Sequence, residues 1–153
     1  MALSTQEVIH RLSSIEPSEV TEFNQDDAGV LEGLIAADDS FIAARAVHAL
    51  AAVGAAGRAV RAAAQDPRPE LRIAAARLAR RLPDEDSSEI LASLLNDLDA
   101  GVRKFAVLHS AGLHTDQIAN GLDRLAGSDP NLRIRSLAAD SARPQPDGGG
   151  HQS

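Results

Sequence analysis

Residues 99–110 read Asp99-Ala100-Gly101-Val102-Arg103-Lys104-Phe105-Ala106-Val107-Leu108-His109-Ser110. Asp99 stands where a helix cap belongs, Val102 opens an apolar stripe, and Arg103 follows it. The pattern recurs. The apolar residues that open successive second helices are Ile42, Leu71, Val102 and Leu132, at steps of 29, 31 and 30 residues. Three positions earlier stand Asp39, Arg68, Asp99 and Asp129. One position later stand Ala43, Arg72, Arg103 and Arg133, and four later Ala46, Ala75, Ala106 and Ser136. Seven positions earlier the column is Ile35, Ala64, Leu95 and Leu125. A period of this length, with two helical segments per unit, predicts an all-α chain built as a stacked solenoid.

Working outward, the expected pairs are 27–37 with 40–53, 56–65 with 68–82, 85–97 with 99–112, and 116–127 with 130–142. Gly54 and Gly57, Pro83-Asp84, and Gly112 to Asp116 separate the pairs. Asp66-Pro67 and Asp129-Pro130 mark turns within them, read as a capping Asp followed by a first-turn Pro. Asp39-Ser40 and Asp99-Ala100 take the same place without proline. Ahead of the repeats, Ser4-Thr5-Gln6-Glu7 has capping-box spacing and Val8, Ile9, Leu12 and Ile15 form a stripe, which predicts an N-terminal capping helix within residues 1–24, broken near Pro17. The repeat domain is expected over 25–143. Residues 144–153, rich in Pro and Gly, read as a disordered tail.

Composition limits the core. Aromatic residues make up 2% of the chain, with no Trp or Tyr, so Leu, Ile, Val and above all Ala must fill the interior. Alanine is the best helix former and lets helix backbones approach closely. The absence of Cys removes disulfides and thiolate chemistry and fits a reducing cytoplasm. No basic segment followed by an apolar run marks a secretory signal, and no stretch approaches 18 uncharged apolar residues, so a soluble cytoplasmic protein without a membrane span is expected.

Asp-Pro-Asn-Leu-Arg at 129–133, Asp-Ala-Gly-Val-Arg at 99–103 and Arg-Pro-Glu-Leu-Arg at 68–72 resemble the turn and second-helix start of HEAT repeats. Ile42 to Leu50 is similar to the second helix of that motif, and the short period resembles the phycobilisome-lyase subtype. The resemblance covers about residues 27–142. It implies a right-handed α-solenoid of about four HEAT-like helix pairs, with second helices lining the concave side. It also implies that Arg72, Arg103 and Arg133 tie turns to neighbouring units rather than hold a ligand. Two positions depart from the pattern, since Ala43 replaces Arg and Arg68 replaces Asp, and the stacking is expected to be weakest there.

Charge is sorted between the layers. The second-helix windows carry ten bases and one acid, Asp140, while the remainder carries five bases and 21 acids. Helix dipoles explain part of this asymmetry. With the tying arginines set aside, the partner-binding candidates are Arg45, His48, Arg77, Arg81, Lys104 and Arg135, which would steer an acidic segment of another protein. Phe105, in the column of Arg45, is read as core. Ser136 and Asp140 in core columns suggest a polar C-terminal cap, leaving a monomer or a homodimer.

Catalytic, cofactor and metal sites are not expected. His10, His48, His109, His114 and His151 lack the spacing that puts two ligands on one helix face. His109 falls in a half-buried column. With Ser110 and Asp116 it outlines a hydrolase triad only on paper, because helix neighbours do not make a nucleophile–base pair. Asp84-Glu85-Asp86 is an acidic helix start. Three functions remain: a non-enzymatic interaction scaffold, a nucleic-acid-binding HEAT-like protein, and a lyase-accessory protein. Net charge −7 and the missing Trp and Tyr disfavour nucleic acid. The lyase reading rests on repeat subtype alone.

Overall fold

The computed structural model describes residues 1–14 and 23–143. The break expected near Pro17 and the tail at 144–153, with His151, lie outside the described residues. Within them the chain is all-α, without a strand: α1 (Thr5–Ser14), α2 (Ala28–Ile35), α3 (Ser40–Leu50), α4 (Ala56–Ala64), α5 (Pro69–Leu78), α6 (Asp84–Leu94), α7 (Ala100–His109), α8 (Asp116–Ser128) and α9 (Leu132–Ala142). Each expected pair is present with its ends moved by a few residues.

Helix starts follow from caps. Asp39 accepts from Phe41 and Ile42 N–H at 2.9 and 3.2 Å, and Asp99 accepts from Val102 N–H at 3.0 Å. At α1, Ser4 N–H donates to Glu7 and Glu7 N–H donates to Ser4 Oγ, closing the expected capping box. Asp66 and Asp129, by contrast, do not cap α5 and α9. The residues in the N-cap position are Arg68 and Asn131, and Asn131 Oδ1 accepts from Arg133 and Ile134 N–H.

That difference shifts the fourth unit by two residues. Leu132 is 73% exposed, whereas Ile134 is 2% exposed and occupies the core column of Ile42, Leu71 and Val102. Ser136 is exposed, and Ala138 completes the fully buried column Ala46, Ala75, Ala106. Asp140 is exposed too, so Ser136 and Asp140 do not stand in core columns but on the solvent side of the last helix. The physical reason is the turn. Asp129 ends α8 with its carboxylate turned inward, and the chain needs Pro130 and Asn131 before the next helix can start.

Each helix packs on the next within its pair: α2 on α3, α4 on α5, α6 on α7 and α8 on α9. The second helices α3, α5, α7 and α9 also contact one another in succession, more extensively than α4, α6 and α8 do. Alanine explains the close approach, since Ala43, Ala46, Ala75, Ala76, Ala106 and Ala138 are all fully buried. Larger side chains fill the space between layers, among them Leu71, Leu91, Leu95, Val102 and Ile118, each worth about 1.5–3 kcal/mol when buried. α1 lies against α2 and α3, with Val8 and Leu12 inward, and so covers the first pair. Asp27, fully buried, anchors the approach by accepting from Leu3 and Asn24 N–H at 2.8 and 3.0 Å, bonds that hold its carboxyl below the usual range.

The run Ser40–Ala64, although interrupted by Arg45, Arg58 and Arg61, is long and apolar enough by length and composition to cross a membrane, with mean hydropathy 1.4. In the fold it is not one rod. The helical winding breaks within Ala51–Ala55, where Gly54 sits at φ 94°, a conformation in which a side chain would be strained, so α3 and α4 are separated by a kink there.

Candidate binding face

Two sets of arginines emerge from the same helices. The first set ties units together. Arg72 Nε donates to Asp97 at 2.7 Å, and its Nη1 donates to the carbonyls of Asp66 and Pro67. Arg103 repeats this, with Nε to Asp129 at 2.7 Å and Nη1 to the Asp97 and Leu98 carbonyls. Arg135 Nε donates to the Asp129 carbonyl. The tying column is therefore Arg72, Arg103 and Arg135. Arg135, selected as a partner-binding residue, is engaged internally, and Arg133, read as a tie, is exposed. Both follow from the two-residue shift of the fourth unit.

Burial decides the electrostatics of these ties. The Asp129 side chain is 1% exposed and that of Asp97 10%. Burial by itself pushes both carboxyls up, but arginine and backbone N–H donors outweigh it and hold them below the ordinary value. Asp97 and Asp129 also accept from N–H two residues on, which fixes the turn.

The two departures from the repeat compensate each other. Ala43 cannot reach forward to Asp66. Arg68 instead pairs with Asp66 at 3.0 Å and reaches back to the carbonyls of Ile35 and Ala37, both at 2.6 Å. The first junction is held in the reverse direction, from the second unit to the first.

The second set faces outward from the second helices. Arg77 on α5 and Lys104 on α7 both lie over the ring of Phe105, at 5.6 and 5.9 Å from its centroid. Phe105 packs against the core with one part and carries these cations with another. His109 stacks on the same ring at 6.5 Å. On α3, Arg45 lies 4.4 Å above Phe41, which is 54% exposed. His48 sits between the two groups, half-buried. Desolvation first, then the charges of Arg77, Arg81 and Arg45, lowers its pKa to about 4. Burial, with Arg77 and Arg80, also lowers that of His109. Both imidazoles are thus held neutral at pH 7.

Five of the six residues selected from sequence, Arg45, His48, Arg77, Arg81 and Lys104, share this face. Among the described residues no carboxylate comes within 4.0 Å of Arg77, Arg81 or Lys104. Arg80, beside them, is engaged, donating to the Ala111 carbonyl at 2.7 Å. Reasoning from sequence missed Phe41 and His109 as members; their place one turn from Arg45 and Phe105 was the available signal.

The paper triad does not assemble. Ser110 is buried and its hydroxyl donates to the Ala106 carbonyl at 2.6 Å, while His109 turns to Phe105. Among the described residues no group of three His, Asp or Glu is placed to hold a metal ion. A largely apolar cleft of about 330 Å³ opens between α2 and α4, walled by Ile35, Ala36, Leu50 and Ala59, with the Arg58–Glu32 pair at its rim. Compared with known proteins, the chain matches no family model, no curated protein and no solved structure.

Proposed function

We propose that this chain is a right-handed solenoid of HEAT-like helix pairs acting as a non-enzymatic scaffold in the cytoplasm. Its basic second-helix face holds an acidic segment of another protein, the scaffold itself being a monomer or a homodimer. One observation carries the reading: among the described residues Arg77, Arg81 and Lys104 stand together without a carboxylate within 4.0 Å, whereas the partly buried Arg68, Arg72 and Arg103 each pair with one. Unpaired like charges repel, and an anionic partner relieves that repulsion while gaining charge-assisted hydrogen bonds. Phe105 supports it by offering a flat surface on which the Arg77 guanidinium rests with its N–H edge available to an anion.

The test is fluorescence anisotropy with a labelled Glu-rich peptide, at low and high salt. Salt-sensitive binding by the wild type, lost in an Arg77→Glu/Arg81→Glu variant that circular dichroism shows to be folded, is the expected result. Equal binding by both proteins, or none by the wild type, ends the proposal.

A further inference from the structure

We infer that the anion this face accepts is a phosphate monoester on a partner's segment, received by Arg77, Arg81 and Lys104. The inference rests on the basic-face reading and narrows it from acidic segments in general to phosphorylated ones.

Stoichiometry is the first argument. Among the described residues, arginine meets carboxylate one for one in these ion pairs: Arg58 with Glu32, Arg61 with Asp86, Arg68 with Asp66, Arg72 with Asp97, Arg103 with Asp129 and Arg143 with Asp140. The open face is built differently. Arg77, Arg81 and Lys104 have no carboxylate within 4.0 Å among the described residues, the two guanidinium groups act on a single half-buried imidazole, and Lys104 shares the Phe105 ring with Arg77. A carboxylate brings one charge and two oxygens to such a place and leaves it strongly positive. A phosphate monoester brings about −1.5 to −2 charges at pH 7 and three acceptor oxygens, which suits several donors at once.

Donor geometry is the second argument. Arg77 lies over a ring face, so its planar fork is held while its edge remains free to make paired hydrogen bonds to phosphate oxygens. His48, held neutral beside them, adds nothing to the repulsion among the cations. The imidazole comes from α3, Arg77 from α5, Arg81 from the short 3-10 turn Ala79–Arg81 that follows it, and Lys104 from α7. Two successive units therefore supply the donors, and stacking fixes their separation. The exposed residues Phe41 and Leu108, 54% and 44% exposed, flank the cations and offer apolar contact for residues beside the phosphate.

The experiment compares three fluorescein-labelled probes on the full chain by anisotropy: a peptide with two phosphoserines, the same peptide with Glu in their place, and a single-stranded oligonucleotide of equal charge. The phosphopeptide is expected to bind about ten-fold more tightly than the Glu peptide, a difference of about 1.4 kcal/mol. The Arg77→Gln/Arg81→Gln variant should reduce that ratio to near one. If that variant melts below the wild type, Arg81→Gln alone, at an exposed position, is used for the same ratio. Equal affinity for the two peptides overturns the phosphate inference and leaves the basic face standing. Binding of neither peptide overturns both. Tighter binding of the oligonucleotide, lost in the same variant, overturns the inference in favour of nucleic acid.

Discussion

Arg103 and Arg77 stand on neighbouring second helices, and they do opposite things. Arg103 turns toward the turn edge, where Asp129 lies 26 residues on in sequence but 2.7 Å away, and its side chain is 11% exposed. Arg77 stays in solvent over Phe105 with no acid in reach among the described residues. Position in the repeat, not residue type, separates them. The residue just after the buried opener of a second helix reaches the next turn, whereas one five positions further along faces out. A count of basic residues treats the two alike; the column they occupy does not.

That contrast can be broken at several points. The largest effect is expected from Arg103→Met, which leaves the Asp129 carboxylate buried without its counter-charge. Such a loss costs about 3 kcal/mol, or roughly 10 °C in melting temperature for a chain of this size, read by thermal circular dichroism. Arg103→Met with Asp129→Leu should melt above the single variant, because the orphaned charge is then gone. Next comes Arg68→Ala, which frees the carbonyls of Ile35 and Ala37 and should cost about 2 kcal/mol in urea unfolding.

Acid sharpens the comparison. His48 is neutral in the folded chain down to about pH 4, whereas an unfolded imidazole takes a proton near pH 6.5. Between those values the unfolded state binds more protons, so stability should fall as pH drops from about 6.5 toward 4. The carboxyls of Asp66, Asp97 and Asp129 are shifted down instead, and their contribution should be lost only at lower pH, as they protonate. His109, also shifted down, adds to that upper slope, so a His48→Gln variant should flatten it in part and keep the lower one, measured as melting temperature against pH. The smallest effect is expected for Arg77→Gln and Arg81→Gln, each within about 0.5 kcal/mol of wild type. A loss above about 1 kcal/mol at either would make the open face structural rather than available.

The pairing of helices was legible because caps and apolar columns are local signals. Asp39 and Asp99 announce their helices within three residues. The fourth unit was misread because Leu132 imitates a column opener: an Asp stands three residues before it and an Arg follows. What places Asp129 in the turn is Arg103, on another unit, and no local window contains both. The same limit hid the exchange at the first junction. Ala43 and Arg68 look like separate defects in sequence, and only contact between units shows that one repairs the other. The basic face is legible through charge sorting, yet that sorting also sweeps in Arg135, whose donation to a backbone carbonyl leaves no charge signature.

The buried alanines carry a consequence beyond packing. A methyl group at Ala46, Ala75 and Ala106 sets how near α3, α5 and α7 lie, and therefore how tightly the cations of three units are crowded on the outer side of those helices. Surface potential on this molecule is thus governed from its interior. A larger side chain in that column would spread the helices and dilute the field without altering a single charge. Evolution or design can tune the face through residues that no ligand ever touches.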